Sequence, residues 1–165
     1  MEYTDANRLL RIFLFIDFKK AFDNIEWSFI HNSLTLFNFG PVIRRWVYIF
    51  YNNVERGVMN CGYMTNYFSV SPGVRQGCSL SPLLFVLAVE VLALKIRQDK
   101  LCWGIKLPHN QEAKLSQFAD DATLIVRDLD SLQKAIEIVS IFGSISGLEL
   151  NKKKNQSNVV WFSKK

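Results

Sequence analysis

The chain has 165 residues, is 49% hydrophobic and 13% aromatic, and carries a formal charge of +5. Such a length and composition give one domain with a real core and exclude a disordered or low-complexity polymer. The basic excess favours a polyanionic partner.

That excess has an address: Lys152, Lys153, Lys154, Lys164 and Lys165 crowd the C-terminal stretch, where there is no acid, and the remainder is charge-balanced. A solvated tail and a phosphate contact fit this run equally well. Cys61, Cys78 and Cys102 are odd in number and far apart, without metal-site or redox spacing, and read as reduced intracellular thiols. The apolar run Ile12 to Ile16 is too short for a signal peptide, and acids precede it. Leu83 to Leu94 contains Glu90 and is too short to span a bilayer, so no membrane partner is expected.

In chain order, Ile12 to Ile16 predicts a strand buried on both faces that ends abruptly in Asp17. A carboxylate closing a buried strand is costly unless it is paired, hydrogen-bonded or bound to metal. A helix follows, with Asp23 as its cap, Glu26 at the reciprocal position, and a buried stripe of Trp27, Ile30, Leu34 and Phe37. Gly40-Pro41 stops it and starts a second helix lined by Ile43, Trp46, Val47 and Phe50, all read as core. Val54–Asn60 and Tyr67–Val70 read as short strands. The segment from Ser71 to Ser81 is glycine-rich and holds Arg75 and Gln76; by itself it is an ordinary loop before a helix. Ser81 as cap and Pro82 at the first turn open a long apolar helix to about Gln98.

Trp103 to Leu107 reads as a strand, and Lys114 to Arg127 as a hairpin whose polar tip holds Asp120 and Asp121. Adjacent aspartates suit a tight turn because Asp tolerates left-handed backbone. Asp130 caps the next predicted helix, whose buried face is Leu132, Ile136, Val139 and Phe142, with Gly147 closing it. Asn158 to Phe162 is a last strand. The order β-α-α-β-β-α-β-β-β-α-β predicts an α+β fold, a small sheet with helices on one face.

Phosphoryl transfer to a hydroxyl needs in-line positioning and neutralisation of the attacking and leaving oxygens. Two Mg²⁺ ions achieve both, and two or three carboxylates suffice to hold them when substrate phosphates complete the shell. Asp17, Asp120 and Asp121 meet that need if their strands are neighbours.

Four ordered stretches carry a resemblance: FIDFKKAFDNIEW, SPGVRQGCSLSPLLF, FADD and SGLELNKKK. They resemble motifs A, B, C and D of the reverse transcriptases of non-LTR (LINE-type) retrotransposons, over nearly the whole chain. The resemblance implies a polymerase palm built on a small antiparallel sheet. It also implies that residues 1–165 form one palm domain with part of the fingers, with the N-terminal fingers and the thumb of a longer polyprotein outside it.

By the same resemblance, Asp17, Asp120 and Asp121 match the metal-binding catalytic aspartates. The implied metal is a pair of Mg²⁺ ions, with Mn²⁺ as a substitute. Lys154 matches the motif D lysine that assists the pyrophosphate leaving group, although Lys152 and Lys153 leave open which lysine acts. Phe18, Phe22, Arg75, Gln76 and Gly77 match nucleotide-binding positions, Phe22 being the bulky residue that excludes a 2′-hydroxyl. Lys19, Lys20 and Lys152 are implied nucleic-acid contacts. Ser79 stands where the family usually has Pro, and Pro72 where a basic residue is common.

The implied partners are an RNA template, a DNA primer and deoxynucleoside triphosphates, and the implied place of work is the nucleus. A degraded retroelement fragment without activity, at most a passive nucleic-acid binder, is the alternative. An unrelated α+β nucleic-acid-binding module with incidental aspartates is a third reading.

Overall fold

The computed structural model describes residues 11–52, 54–69, 73–151 and 159–162. Strand β1 (Arg11–Ile16) is followed by a one-turn helix α1 (Ala21–Asn24), then α2 (Trp27–Leu36) and α3 (Pro41–Tyr51). Four two-residue strands come next: β2 (Glu55–Arg56), β3 (Met59–Asn60), β4 (Tyr63–Met64) and β5 (Phe68–Ser69). The long helix α4 (Leu80–Gln98) leads to β6 (Ile105–Lys106) and β7 (Glu112–Ala113). The chain continues through β8 (Leu115–Phe118), β9 (Asp121–Val126), α5 (Leu129–Ser146) and β10 (Val159–Phe162).

The principal sheet has the order β10-β1-β9-β8 and is antiparallel throughout. Period-2 alternation divides it into two faces. Ile12, Leu14 and Ile16 pair with Val126, Leu124 and Ala122, and all six are buried. Helices α4 and α5 pack on this side, and α2 packs on α4. The helix side therefore has the apolar content of a core, as expected of an α+β fold. The opposite side carries no helix among the described residues, with Phe13, Thr123 and Ile125 partly exposed and Phe15 exposed. The predicted two-sided burial of β1 is thus corrected: helices cover one face only, and Phe15 on the other is 44% exposed.

Helix starts differ from the sequence expectation. Asp23 lies inside α1 and caps nothing, and Glu26 precedes α2 without a side-chain cap bond. Asp128, not Asp130, caps α5, its carboxylate accepting from the Ser131 backbone N–H at 2.8 Å. Ser81 lies within α4 and is buried, with Tyr51 Oη 2.8 Å from its hydroxyl. Lys114 closes the other end of α4, donating to the carbonyls of Arg97 (3.1 Å) and Asp99 (2.8 Å), a favourable place for a cation.

The stripe on α3 is a further correction. Only Val47 and Tyr51 are buried there; Trp46 is 53% exposed, and Ile43 and Phe50 are also exposed. The helix rests on α2 by one narrow edge, so its remaining apolar residues face outward. Ile136 of α5 is likewise exposed. The predicted strand Val54–Asn60 is two short strands, β5 pairs with β2, and Val70, Ser71, Pro72 and Asn158 lie outside the described residues. No helix of the described residues is long and apolar enough to cross a membrane.

Gly147 ends α5 with φ 78°, and a Cβ there would stand 2.6 Å from the Asn24 carbonyl oxygen. Gly62 has φ 83° but nothing within 4 Å of its Cβ position. Gly62→Ala should therefore lose only the left-handed backbone penalty, about 1–2 kcal/mol. Gly147→Ala should lose that plus the displacement of α1, about 3 kcal/mol or more in urea unfolding. Equal losses would mean that the contact with Asn24 contributes nothing.

Candidate active site

The register Ile16↔Ala122 makes the next facing positions Asp17 and Asp121, at the same end of the sheet. The hairpin β8–β9 pairs Phe118 with Asp121, leaving Ala119 and Asp120 as a two-residue loop. Strand twist favours a positive φ at the first position of such a loop. Ala119 supplies it, at φ 51°, whereas Asp120 has ordinary backbone, so the expected role of aspartate in the turn is corrected. Left-handed alanine costs roughly 1–2 kcal/mol, held by the pairing on either side. By alternation Asp17, Asp121 and the 84% exposed Phe118 all belong to the open face.

Three carboxylates at one strand end are hard oxygen donors of the kind Mg²⁺ takes. Their side chains are not gathered into a cluster, and among the described residues no three His, Cys, Asp or Glu groups are placed to hold a metal ion. Asp120 and Asp121 are exposed and face solvent, while Asp17 Oδ2 accepts from Asn151 Nδ2 at 2.8 Å. The backbone placement therefore suits a metal, and side-chain rotation of the exposed pair is what binding would require.

The segment after Asp17 is tied on two sides. Phe18 bridges Leu150 in antiparallel fashion, Lys19 N donates to Glu149 O (2.8 Å), and Asn151 N donates to Asp17 O (2.9 Å). Phe18 is buried against Phe142, ring centroids 6.3 Å apart. Its side chain belongs to the helix side, so what it offers toward the open face is backbone. Lys19 forms an exposed ion pair with Glu149 at 3.2 Å, of the kind worth at most about 1 kcal/mol. Lys20 is exposed with left-handed backbone, φ 43°. Phe22 is half-buried and stacks on Phe85 at 4.5 Å.

On the other side stands the loop before α4. Gly73 N donates to Ile25 O (3.1 Å), Val74 N to Phe22 O (2.7 Å), and Gln76 Nε2 to Asp23 Oδ1 (3.1 Å). Gly73 has φ 106°, and a Cβ there would lie 2.5 Å from the Asp23 carbonyl oxygen, so only glycine permits this approach. Gln76 and Gly77 are exposed, with nothing within 4 Å of a Cβ at Gly77. Arg75 turns inward instead, its guanidinium 5.5 Å from the Tyr51 ring centroid.

A polar cluster anchors the start of α4. Tyr51 Oη lies 3.5 Å from Cys78 Sγ and 2.8 Å from Ser81 Oγ. If Tyr51 donates to the sulfur, Ser81 must donate to Tyr51. Burial, then the bond to Cys78, pushes the phenol up to about 12. The bond from Tyr51, then the Leu80 backbone N–H, draws the Cys78 thiol down to about 7.

Lys152 and Lys154 lie outside the described residues. The neighbour of Asp17 that sequence reasoning missed is Asn151. Its signal was the alternation Leu148-Glu149-Leu150-Asn151, which puts Glu149 and Asn151 on one side of an extended segment.

The sequence signature described as "Reverse transcriptase (RNA-dependent DNA polymerase)" matches residues 1–159. The Transposon TX1 uncharacterized 149 kDa protein of Xenopus laevis is 31% identical over 139 residues, covering 84% of this chain and 11% of that protein. The Pol polyprotein of the R2DM retrotransposable element of Drosophila melanogaster is 29% identical, covering 82% and 12%. The R2 element Pol polyprotein of Popillia japonica is 26% identical, covering 84% and 23%. This chain thus spans between 11% and 23% of the length of these relatives. Apo telomerase of Candida tropicalis, truncated from its C-terminal domain, superposes with a TM-score of 0.72 at 16% identity, over 95% of this chain and 31% of that one. Candida albicans telomerase, solved with a fragment of telomeric RNA, gives 0.67 at 16% identity, over 99% and 29%. At those identities the structures establish the shared fold, and the fold is that of a polymerase palm. With the signature spanning nearly the full sequence and relatives drawn from non-LTR retrotransposons, the chain belongs to the reverse transcriptase (RNA-dependent DNA polymerase) family.

Proposed function

We propose that this chain is the polymerising centre of an RNA-directed DNA polymerase. It extends a primer 3′-hydroxyl along an RNA template, using deoxynucleoside triphosphates. One observation carries the reading: Asp17 faces Asp121 across the sheet, with Asp120 in the adjoining turn and the 73–77 loop hydrogen-bonded to the segment after Asp17. Two divalent ions held by Asp17, Asp120 and Asp121, when bound, would neutralise the attacking and leaving oxygens.

The chain's own residues supply position. Gln76 and Gly77 offer an exposed surface beside α1 for the incoming nucleotide, and Gly77 leaves room for close backbone approach. Asp23 accepts only, so it takes the Gln76 amide N–H and leaves Oε1 as the outward acceptor. Phe22, braced by Phe85, presents bulk against a 2′-hydroxyl. Lys19 and Lys20, exposed next to Asp17, are placed for phosphates, and Lys154 is assigned the leaving group.

The decisive assay joins this chain to fingers and thumb segments of a relative and measures Mg²⁺-dependent deoxynucleotide incorporation. Asp17→Asn and Asp120→Asn should each lower the rate by about 100-fold or more, the loss of several kcal/mol of charge stabilisation. Asp120→Asn, at an exposed turn, should change unfolding free energy by less than about 0.5 kcal/mol. Wild-type rates in both variants would sink the reading.

Phe22→Ala should raise the ratio of ribonucleotide to deoxynucleotide incorporation by about 10-fold or more. An unchanged ratio would leave Phe22 as packing for Phe85 alone.

Gln76→Ala and Asp23→Ala should each raise the KM for deoxynucleotide by roughly 5- to 10-fold, the worth of one hydrogen bond. The double variant should be no worse than Gln76→Ala alone, because Asp23 acts only by holding Gln76. Multiplying losses would show that the two residues act separately.

A further inference from the structure

We infer that Asn151 is a positioning residue for the Asp17 carboxylate, fixing the orientation in which Asp17 receives a divalent cation. The inference rests on the reading of Asp17 as a metal ligand.

The geometry starts from backbone. Asn151 N donates to Asp17 O at 2.9 Å, Lys19 N donates to Glu149 O at 2.8 Å, and Phe18 and Leu150 form the antiparallel bridge between them. Around such a bridge the flanking residues face each other in pairs on the side opposite the bridged side chains. Phe18 is accordingly buried among the helices. The two flanking pairs are Asp17 with Asn151 and Lys19 with Glu149. Each makes the cross-strand contact that its chemistry allows. Asn151 Nδ2 donates to Asp17 Oδ2 at 2.8 Å, and Lys19 Nζ reaches Glu149 Oε2 at 3.2 Å.

The two pairs differ in what they do. The Lys19–Glu149 pair is exposed on both sides and flexible. Asp17 and Asn151 are both half-buried, and the amide is held by its own main-chain bond to the residue it serves. A carboxylate with one oxygen engaged by a fixed donor loses rotational freedom about its terminal bond. The carboxylate plane is then set in a constant direction, the usual way in which outer neighbours aim a metal ligand.

The test is Mn²⁺ binding by the 165-residue chain, with free Mn²⁺ followed by electron paramagnetic resonance and thermal unfolding recorded in parallel without metal. Asn151→Ala and Asn151→Leu should weaken Mn²⁺ binding by about 10- to 100-fold. Asn151→Gln, which keeps an amide donor on a longer arm, should recover part of that loss. Glu149→Ala removes the neighbouring pair from the same strand and should leave affinity within about 2-fold, since that pair is an exposed one.

Wild-type affinity in Asn151→Ala and Asn151→Leu would overturn the inference. So would an equal loss in Glu149→Ala, because the effect would then be a loosened strand. Should Asn151→Ala and Asn151→Leu fail to unfold cooperatively, Asn151→Gln decides: affinity nearer wild type than that of Asp17→Asn supports the inference, and affinity equal to it refutes it. Asp17→Asn also reads the underlying assignment. If it binds Mn²⁺ as wild type does, the metal reading of Asp17 fails and the positioning role falls with it, whatever the Asn151 variants show.

Discussion

The segment from Asp17 to Glu26 is held by backbone hydrogen bonds from two sides, and the site depends on that grip. From one side come the bonds of the 146–151 stretch: Asn151 N to Asp17 O, Lys19 N to Glu149 O, and Glu26 N to Ser146 O. From the other come Gly73 N to Ile25 O and Val74 N to Phe22 O. Three distant parts of the sequence thus converge through main-chain contacts, which tolerate side-chain change but not a shift in register. Glycines at 73 and 147 make the approach possible, since a Cβ at either would collide with a carbonyl of this same segment. Each contact is worth only about 1 kcal/mol, but they act on one rigid stretch and so define where Asp17, Phe22 and Asp23 stand.

The grip also explains how strained backbone persists at the site. Lys20 follows Asp17 closely and is left-handed; Ala119 precedes Asp120 and is left-handed too. Neither residue type favours that conformation, at about 1–2 kcal/mol each. Lys20 O is held by Asp23 N at 2.8 Å and Asn24 N at 3.1 Å, and Ala119 by the two-residue hairpin. Non-glycine strain on both sides of the carboxylates is the kind of local cost that packing elsewhere must offset. The buried residues of β1 and β9 under α4 and α5 provide that offset.

Much of this was legible from the sequence because the strongest signals are periodic. The β8–β9 hairpin, the long α4, the α5 helix with Gly147 at its end, and the one-sided helix layer all follow from apolar spacing and caps. Caps at single residues were less legible: Asp23, Asp128 and Asp130 are chemically equivalent candidates, and only Asp128 has its carboxylate against a free N–H. The stripe on α3 misled because periodicity reports an apolar face, not what covers it; Ile43, Trp46 and Phe50 form that face and remain exposed. Phe18, beside Asp17, follows strand alternation, which sends its side chain into the core. The Gln76–Asp23 bond and the Asn151–Asp17 bond join residues 53 and 134 positions apart; alternation shows which side Asn151 takes, but no local pattern names either partner.

On the proposed reading of Asp17 as a metal ligand, the choice of asparagine at 151 follows from what a neighbour of such a carboxylate can be. A lysine there would donate a stronger hydrogen bond. Its charge would also sit within about 4 Å of the carboxylate and oppose an incoming divalent ion. At an effective dielectric constant near 20, two unit charges at that distance interact by about 4 kcal/mol, and a divalent ion doubles the repulsion. An aspartate at 151 would attract the ion but has no proton to donate at neutral pH, so it would repel Asp17 instead of aiming it. Serine donates, but its hydroxyl rotates and accepts as well, so it does not present one fixed donor. A neutral amide on a one-methylene arm avoids all three faults: it donates to Asp17 Oδ2 from a fixed place and adds no charge. The neighbouring pair, Lys19 with Glu149, follows the opposite rule for the opposite reason. It lies further along the segment and more exposed, where two opposite charges pair in solvent and neither has to aim the other.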